Sequence, residues 1–196
     1  MNCDWFRVYD ICEAAYQYLS TRTTDPDLAG RFTSRLNQLF EEYGIGWQMV
    51  DGQIVTRGPE EFQPTVQRAL EDLQEAGYQT AKQELEQARR DLSRRPEPDI
   101  TGCIDHCIKA LECIARLVSG DEGATLGKVI QCYAAQIGIR KPLDQAIEKM
   151  WGYASEAARH VREGGELPGR EEAELLLAIS AALISYLLQK NRSRPD

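Results

Sequence analysis

The segment Asp99-Ile-Thr-Gly-Cys-Ile-Asp-His-Cys-Ile-Lys-Ala-Leu-Glu-Cys-Ile-Ala-Arg-Leu-Val118 decides the architecture. Ile100, Cys103, Ile104, Cys107, Ile108, Leu111, Ile114, Ala115 and Val118 recur at the three- and four-residue spacings of one helix face. Ala110, Cys113 and Leu117 form a second apolar stripe. A helix that is apolar on two sides needs neighbours on both, so it belongs at the centre of a bundle. Asp99 is placed to cap its start, and Gly120 to end it.

Downstream, the pattern predicts a shorter helix over 125–137, stopped by Gly138. Another helix opens after Pro142, a residue suited to a first turn, and runs to about Glu163. A loop over 164–169 leads to a last helix over 170–189. Its stretch Leu175 to Leu188 is fourteen residues without a charge. A membrane-spanning helix needs about 20 apolar residues, so this one reads as a bundle centre or an interface between copies.

Upstream lies Arg94-Arg95-Pro96-Glu97-Pro98, where two prolines cannot continue a helix. Before it, 60–75 and 78–93 read as helical and polar-rich, broken or bent near Gly77. Residues 4–19 and 28–43 read as two amphipathic helices. Between 47 and 57 the character changes: Trp-Gln-Met-Val, then Asp51-Gly52, then Gln-Ile-Val-Thr. Asp-Gly between β-prone runs signals a two-residue hairpin, because both turn positions need positive φ. The fold expected is mainly α: a helical bundle with an N-terminal helical segment and one small β-hairpin. The expected division is an N-terminal region over 1–96, a bundle over 97–190 and a disordered tail over 191–196.

The chain has 196 residues and a net charge of −8, from 23 basic and 31 acidic side chains. A protein that coats nucleic acid is usually basic, so any RNA contact here needs a local patch. The first ten residues carry Asp4, Arg7 and Asp10 and no apolar run, which is unlike a secretory signal. A cytoplasmic protein with reduced, largely buried cysteines and no membrane association is therefore expected.

Four segments resemble the AbiJ-type bacterial abortive-infection family, whose C-terminal part is HEPN-like. They are Asp4-Trp-Phe-Arg-Val-Tyr-Asp10; Leu36-Asn37 with Gly46-Trp-Gln-Met-Val-Asp-Gly-Gln-Ile-Val55; Ala110-Leu-Glu112 followed by Ser119-Gly-Asp121 and Ala124-Thr-Leu-Gly-Lys128; and Trp151-Gly-Tyr-Ala-Ser155 through Arg159-His160. Their order and spacing carry the likeness. The resemblance implies a HEPN-like bundle, a homodimer, a role in phage defence or a toxin–antitoxin system, and action on RNA. Longer members of the family carry a segment before the Trp5 region, so it also implies a short form or a fragment. Some HEPN proteins are metal-independent ribonucleases that use Arg-x4–6-His. Here the positions that would supply the arginine for His160 are Tyr153, Ala154 and Ser155, so that motif is absent.

The residues themselves offer Arg159, His160 and Glu156 as a candidate catalytic group. A carboxylate four residues before an imidazole is within reach on one helix face, and guanidinium suits phosphate. The bland reading is a basic last turn that complements the helix dipole. Arg94, Arg95, Arg140, Lys141 and Arg162 are the candidate RNA-binding residues; the same cations could equally be solvated helix ends. His106 reads foremost as a packed, hydrogen-bonded histidine. Cys103, His106 and Cys107 share a helix face but fall short of a four-ligand zinc set, so neither a metal nor a cofactor is expected. Thr125-Leu-Gly-Lys128 lacks the glycines of a phosphate loop and reads as a helix start. Two functions follow: an RNA-acting defence protein that is a possible ribonuclease, or a non-catalytic dimerising module that holds a partner protein.

Overall fold

A computed structural model describes residues 4–59, 62–159 and 167–193. In chain order it shows α1 (Trp5–Arg22), α2 (Leu28–Glu42), β1 (Trp47–Val50), β2 (Gln53–Thr56), α3 (Gln63–Glu75), α4 (Gln79–Leu92), α5 (Ile100–Ser119), α6 (Leu126–Ile137), α7 (Leu143–Arg159) and α8 (Arg170–Arg192). The mainly α fold with one hairpin is as expected.

Helix α5 is the axis. It packs on α4, α6, α7 and α8. Ten of its residues are buried, including Ile104, Ile108 and Ile114. The Asp99 carboxylate accepts a hydrogen bond from the Gly102 amide at 2.8 Å, and Gly120 closes the helix in the left-handed region at φ 74°. Thr125 caps α6 in the same way, through the Lys128 amide at 3.3 Å. Thr125-Leu-Gly-Lys128 is therefore a helix start, with Gly127 lying under the Trp151 ring.

Helices α3 and α4 are separate, with Gly77 between them at φ 77°. Each carries one apolar stripe: Val66, Ala69, Leu70 and Leu73 on α3, and Ala81, Leu85, Ala88 and Leu92 on α4. Both stripes enter the same apolar core as α5 to α8. The helices on either side of the 94–98 joint thus share one interior. The N-terminal region expected over 1–96 contains two helices that pack with the bundle. Asn191 and Arg192, assigned by sequence to a tail, form the last turn of α8. Residues 194–196 lie outside the described residues.

A second, smaller apolar cluster joins α1, α2 and the hairpin. Phe40, Met49 and Ile54 are buried in it, with Tyr9, Cys12, Tyr16, Phe32, Leu36 and Trp47 around them. The turn has the expected positive φ, 49° at Asp51 and 79° at Gly52. A lone hairpin has two unpaired edges and little stability of its own. Here side chains pair both edges. On β1, Asn37 donates to the Met49 carbonyl at 2.9 Å and accepts from the Met49 amide at 2.7 Å. On β2, the Ile54 amide donates to Glu13, the Ile54 carbonyl accepts from Arg95, and the Thr56 amide donates to Ser93 Oγ.

Among the described residues, no helix is long and apolar enough to cross a membrane. Cys12, Cys103, Cys107, Cys113 and Cys132 are free thiols.

Candidate functional site

Helix α7 brings Glu156 and Arg159 to one end of the bundle, with Glu156 exposed. The side chain of Arg159, and the whole of His160 and Arg162, lie outside the described residues. Of the candidate catalytic group, Glu156 alone is described with its side chain.

The candidate RNA-binding cations sit on two different loops. Arg140 and Lys141 are exposed between α6 and α7. Arg94 and Arg95 lie between α4 and α5 and are bound internally. Arg94 pairs with Asp91 at 3.1 Å and Asp99 at 2.9 Å. Arg95 has a side chain only 11% exposed. It donates to the Ile54 carbonyl at 2.9 Å and pairs with Asp10 at 3.1 Å and Glu13 at 3.0 Å. Its guanidinium also lies over the rings of Tyr9 and Trp47, 5.6 and 5.7 Å from their centroids. A guanidinium held by two carboxylates, a carbonyl and two aromatic faces is a fastener between chain segments, although its buried Nε has no hydrogen-bond partner.

His106 is the packed histidine anticipated. Its Nδ1 meets Glu84 Oε2 at 2.5 Å, while Nε2 lies 3.6 Å from the buried Asp91. Asp91 is further occupied by Gln87 and Arg94. Cys103 and Cys107 are buried beside this cluster. A hydrogen bond that the Cys103 thiol donates to Cys107, with burial, pushes its pKa far above the ordinary value, the opposite of a metal-ligating thiolate. Among the described residues, no group of histidine, cysteine and carboxylate side chains is arranged to hold a metal ion.

A cavity of about 330 Å³ opens where the hairpin meets the bundle. Gln48, Thr56, Arg57, Val66, Arg89 and Leu177 are among its walls, drawn from β1, β2, α3, α4 and α8 and the segment after β2. Arg89 Nε is buried without a hydrogen-bond partner, and burial lowers the pKa of that guanidinium. Arg57 reaches Glu41 at 3.5 Å, and Arg170 donates to Thr56 Oγ1 at 2.6 Å. The walls are largely apolar, with the cations Arg57 and Arg89 and the carboxylate Glu174 among them. Sequence reading passed over Arg57. Only the Gly58-Pro59 break marks the place.

Residues 1–72 match the family model described as AbiJ N-terminal domain 4. The N-terminal part of this chain resembles an AbiJ-type domain. No curated protein and no solved structure gives a significant match. The AbiJ-type match spans α1, α2, the hairpin and most of α3. The family name points to abortive infection, a form of defence against phage. Arg95 and the cavity therefore both lie where the AbiJ-type domain meets the helices that follow it.

Proposed function

We propose that this chain works in phage defence as a two-part interaction module. The AbiJ-type domain receives a signal, and a HEPN-like bundle over the later helices passes it to a partner protein. The observation that carries this reading is Arg95, which rises from the bundle and is gripped by Asp10, Glu13 and Ile54 of the AbiJ-type domain. A linkage of this kind suits transmission between two parts more than docking of an external phosphate. The net charge of −8 and the carboxylates facing Arg94 and Arg95 weigh against a nucleic-acid surface at that edge.

A second reading keeps RNA as the target, acted on by a cytoplasmic homodimer. Arg159, His160 and Glu156 would do the chemistry, and Arg140, Lys141 and Arg162 would hold phosphates. It draws on the exposure of Arg140 and Lys141 at the opening of α7, the helix that carries Arg159.

The two readings part in one pair of assays. Cultures expressing the parent are challenged with phage beside Arg95→Ala, Arg159→Ala and His160→Ala, each checked for helicity. Loss of protection in Arg95→Ala alone supports the module. The purified parent is also incubated with tRNA and total RNA in chelator. Cleavage that vanishes in both Arg159→Ala and His160→Ala overturns the module and establishes the ribonuclease.

A further inference from the structure

Helix α1 turns one face inward and leaves another uncovered. At about 100° per residue, Trp5, Cys12, Tyr16, Tyr9 and Glu13 lie on the side that meets α2 and the hairpin. Val8, Ile11, Ala15 and Tyr18 fall within an arc of about 80° on the other side. Val8, Ile11 and Tyr18 are 52%, 64% and 65% exposed, and none of the eighteen residues of α1 is buried. A helix of this polarity normally keeps such a stripe out of water.

The stripe has a symmetry of its own. Asp4 and Arg22 lie on the same arc, one at each end, and Asp4 also pairs with Arg7 of its own helix at 3.4 Å. An antiparallel copy of α1, related by a twofold axis level with Glu13, sets Asp4 opposite Arg22, Val8 opposite Tyr18 and Ile11 opposite Ala15. Every residue of the stripe then meets a residue of suitable kind. Large meets medium at Val8–Tyr18, branched meets small at Ile11–Ala15, and the outer pairs join opposite charges. A twofold contact requires this self-complementarity, in which each pairing occurs twice. The charges on and beside the arc are mixed, with Asp4 and Arg22 on it and Arg7 at its edge, whereas a membrane surface would favour basic residues alone.

We propose that the uncovered face of α1 is the contact by which two copies of this chain associate, antiparallel, through their AbiJ-type domains. The contact is one helix wide, so the dimer forms and dissociates with concentration.

The experiment is sedimentation of the full chain over a range of concentrations. The parent forms dimers, and Ile11→Glu, with unchanged helicity, stays monomeric. Asp4→Arg and Arg22→Asp singly weaken the dimer by about tenfold, since each turns both outer pairs into like charges. The double variant Asp4→Arg with Arg22→Asp returns to the parent's dissociation constant. That reversal also decides the matter should Ile11→Glu fail to fold. A parent that is monomeric throughout overturns the proposal. So does a dimer indifferent to all four variants, or charge reversals that add in the double variant where rescue is expected. Binding of the parent to anionic vesicles, lost in Ile11→Glu without any dimer, assigns the face to lipid and overturns it as well.

Discussion

Arg95 engages five groups at once: the Ile54 carbonyl, Asp10, Glu13 and the faces of Tyr9 and Trp47. Replacing it with alanine leaves Glu13, itself only 29% exposed, without its cation. We expect Arg95→Ala to lower stability by about 2 kcal/mol in urea unfolding, discounted for the exposure of Asp10. Arg95→Lys should recover less than half of that, because an ammonium cannot fork between a carbonyl and two carboxylates. The partners at 10, 13 and 54 lie 41 to 85 residues away in the chain. Sequence places Arg95 beside Arg94 and reads the two as neighbours in a basic edge. No local pattern encodes a carboxylate delivered by the first helix. His106 shows the reverse: its place on a packed face is legible from spacing, though its carboxylates on α4 are not. A second prediction concerns Cys103. Its thiol keeps its proton in the folded chain, whereas in the unfolded chain it ionises near 9.0. The stability it contributes is full below that pH and falls as pH rises beyond it, by up to about 1.4 kcal/mol per unit. Urea midpoints of the parent and Cys103→Ala between neutral and alkaline pH check this, and the variant should show the shallower decline.

At the scale of elements, the hairpin depends on its turn and on both its edges. Gly52 sits at φ 79° with the Tyr16 ring filling the space where a side chain would go. Gly52→Ala meets backbone strain and a clash together, and should cost about 3 kcal/mol. Gly44 has nearly the same backbone, φ 63°, with open space beside it, so Gly44→Ala should cost only about 1 kcal/mol. Thermal unfolding of the two variants, followed by circular dichroism, measures the difference. The hairpin, the cap at Asp99 and the glycine stops were legible because each is a local rule written within four residues. The edge pairing by Asn37, Glu13 and Ser93 was not, since it depends on where helices dock.

At the scale of the molecule, two apolar clusters are joined by polar fasteners: Arg95, the Thr56–Ser93 bond and the Arg170–Thr56 bond. The parent should unfold in one transition. Removing two fasteners, as Arg95→Ala with Ser93→Ala, should split it. In a Trp151→Phe background, where Trp5 and Trp47 alone report on the AbiJ-type domain, the fluorescence midpoint should fall below that of the helical signal. Coincident midpoints in that variant would show that the apolar contacts couple the parts unaided. The proline joint at 94–98 is visible in the sequence, but it is a bend inside one interior. Proline rules locate a break in a helix and are silent on which side of a core it falls. The cavity was illegible for a related reason: its walls come from five elements, and no local pattern says that they meet.

The arrangement of α8 has a consequence for how the protein is made. Ser185 of α8 bonds Asp72 of α3 across 113 residues, and α8 supplies wall to α3, α4 and α5 alike. A ribosome adding 5–20 residues per second needs roughly 6 to 23 s to go from one partner to the other. Through that interval the sides of α3, α4 and α5 that α8 will cover stay open, while α1, α2 and the hairpin already possess most of their mutual contacts. Nascent chains stalled ahead of α8 should therefore recruit chaperones and resist protease only in their first third. The early domain is in place before the rest of the molecule can close behind it.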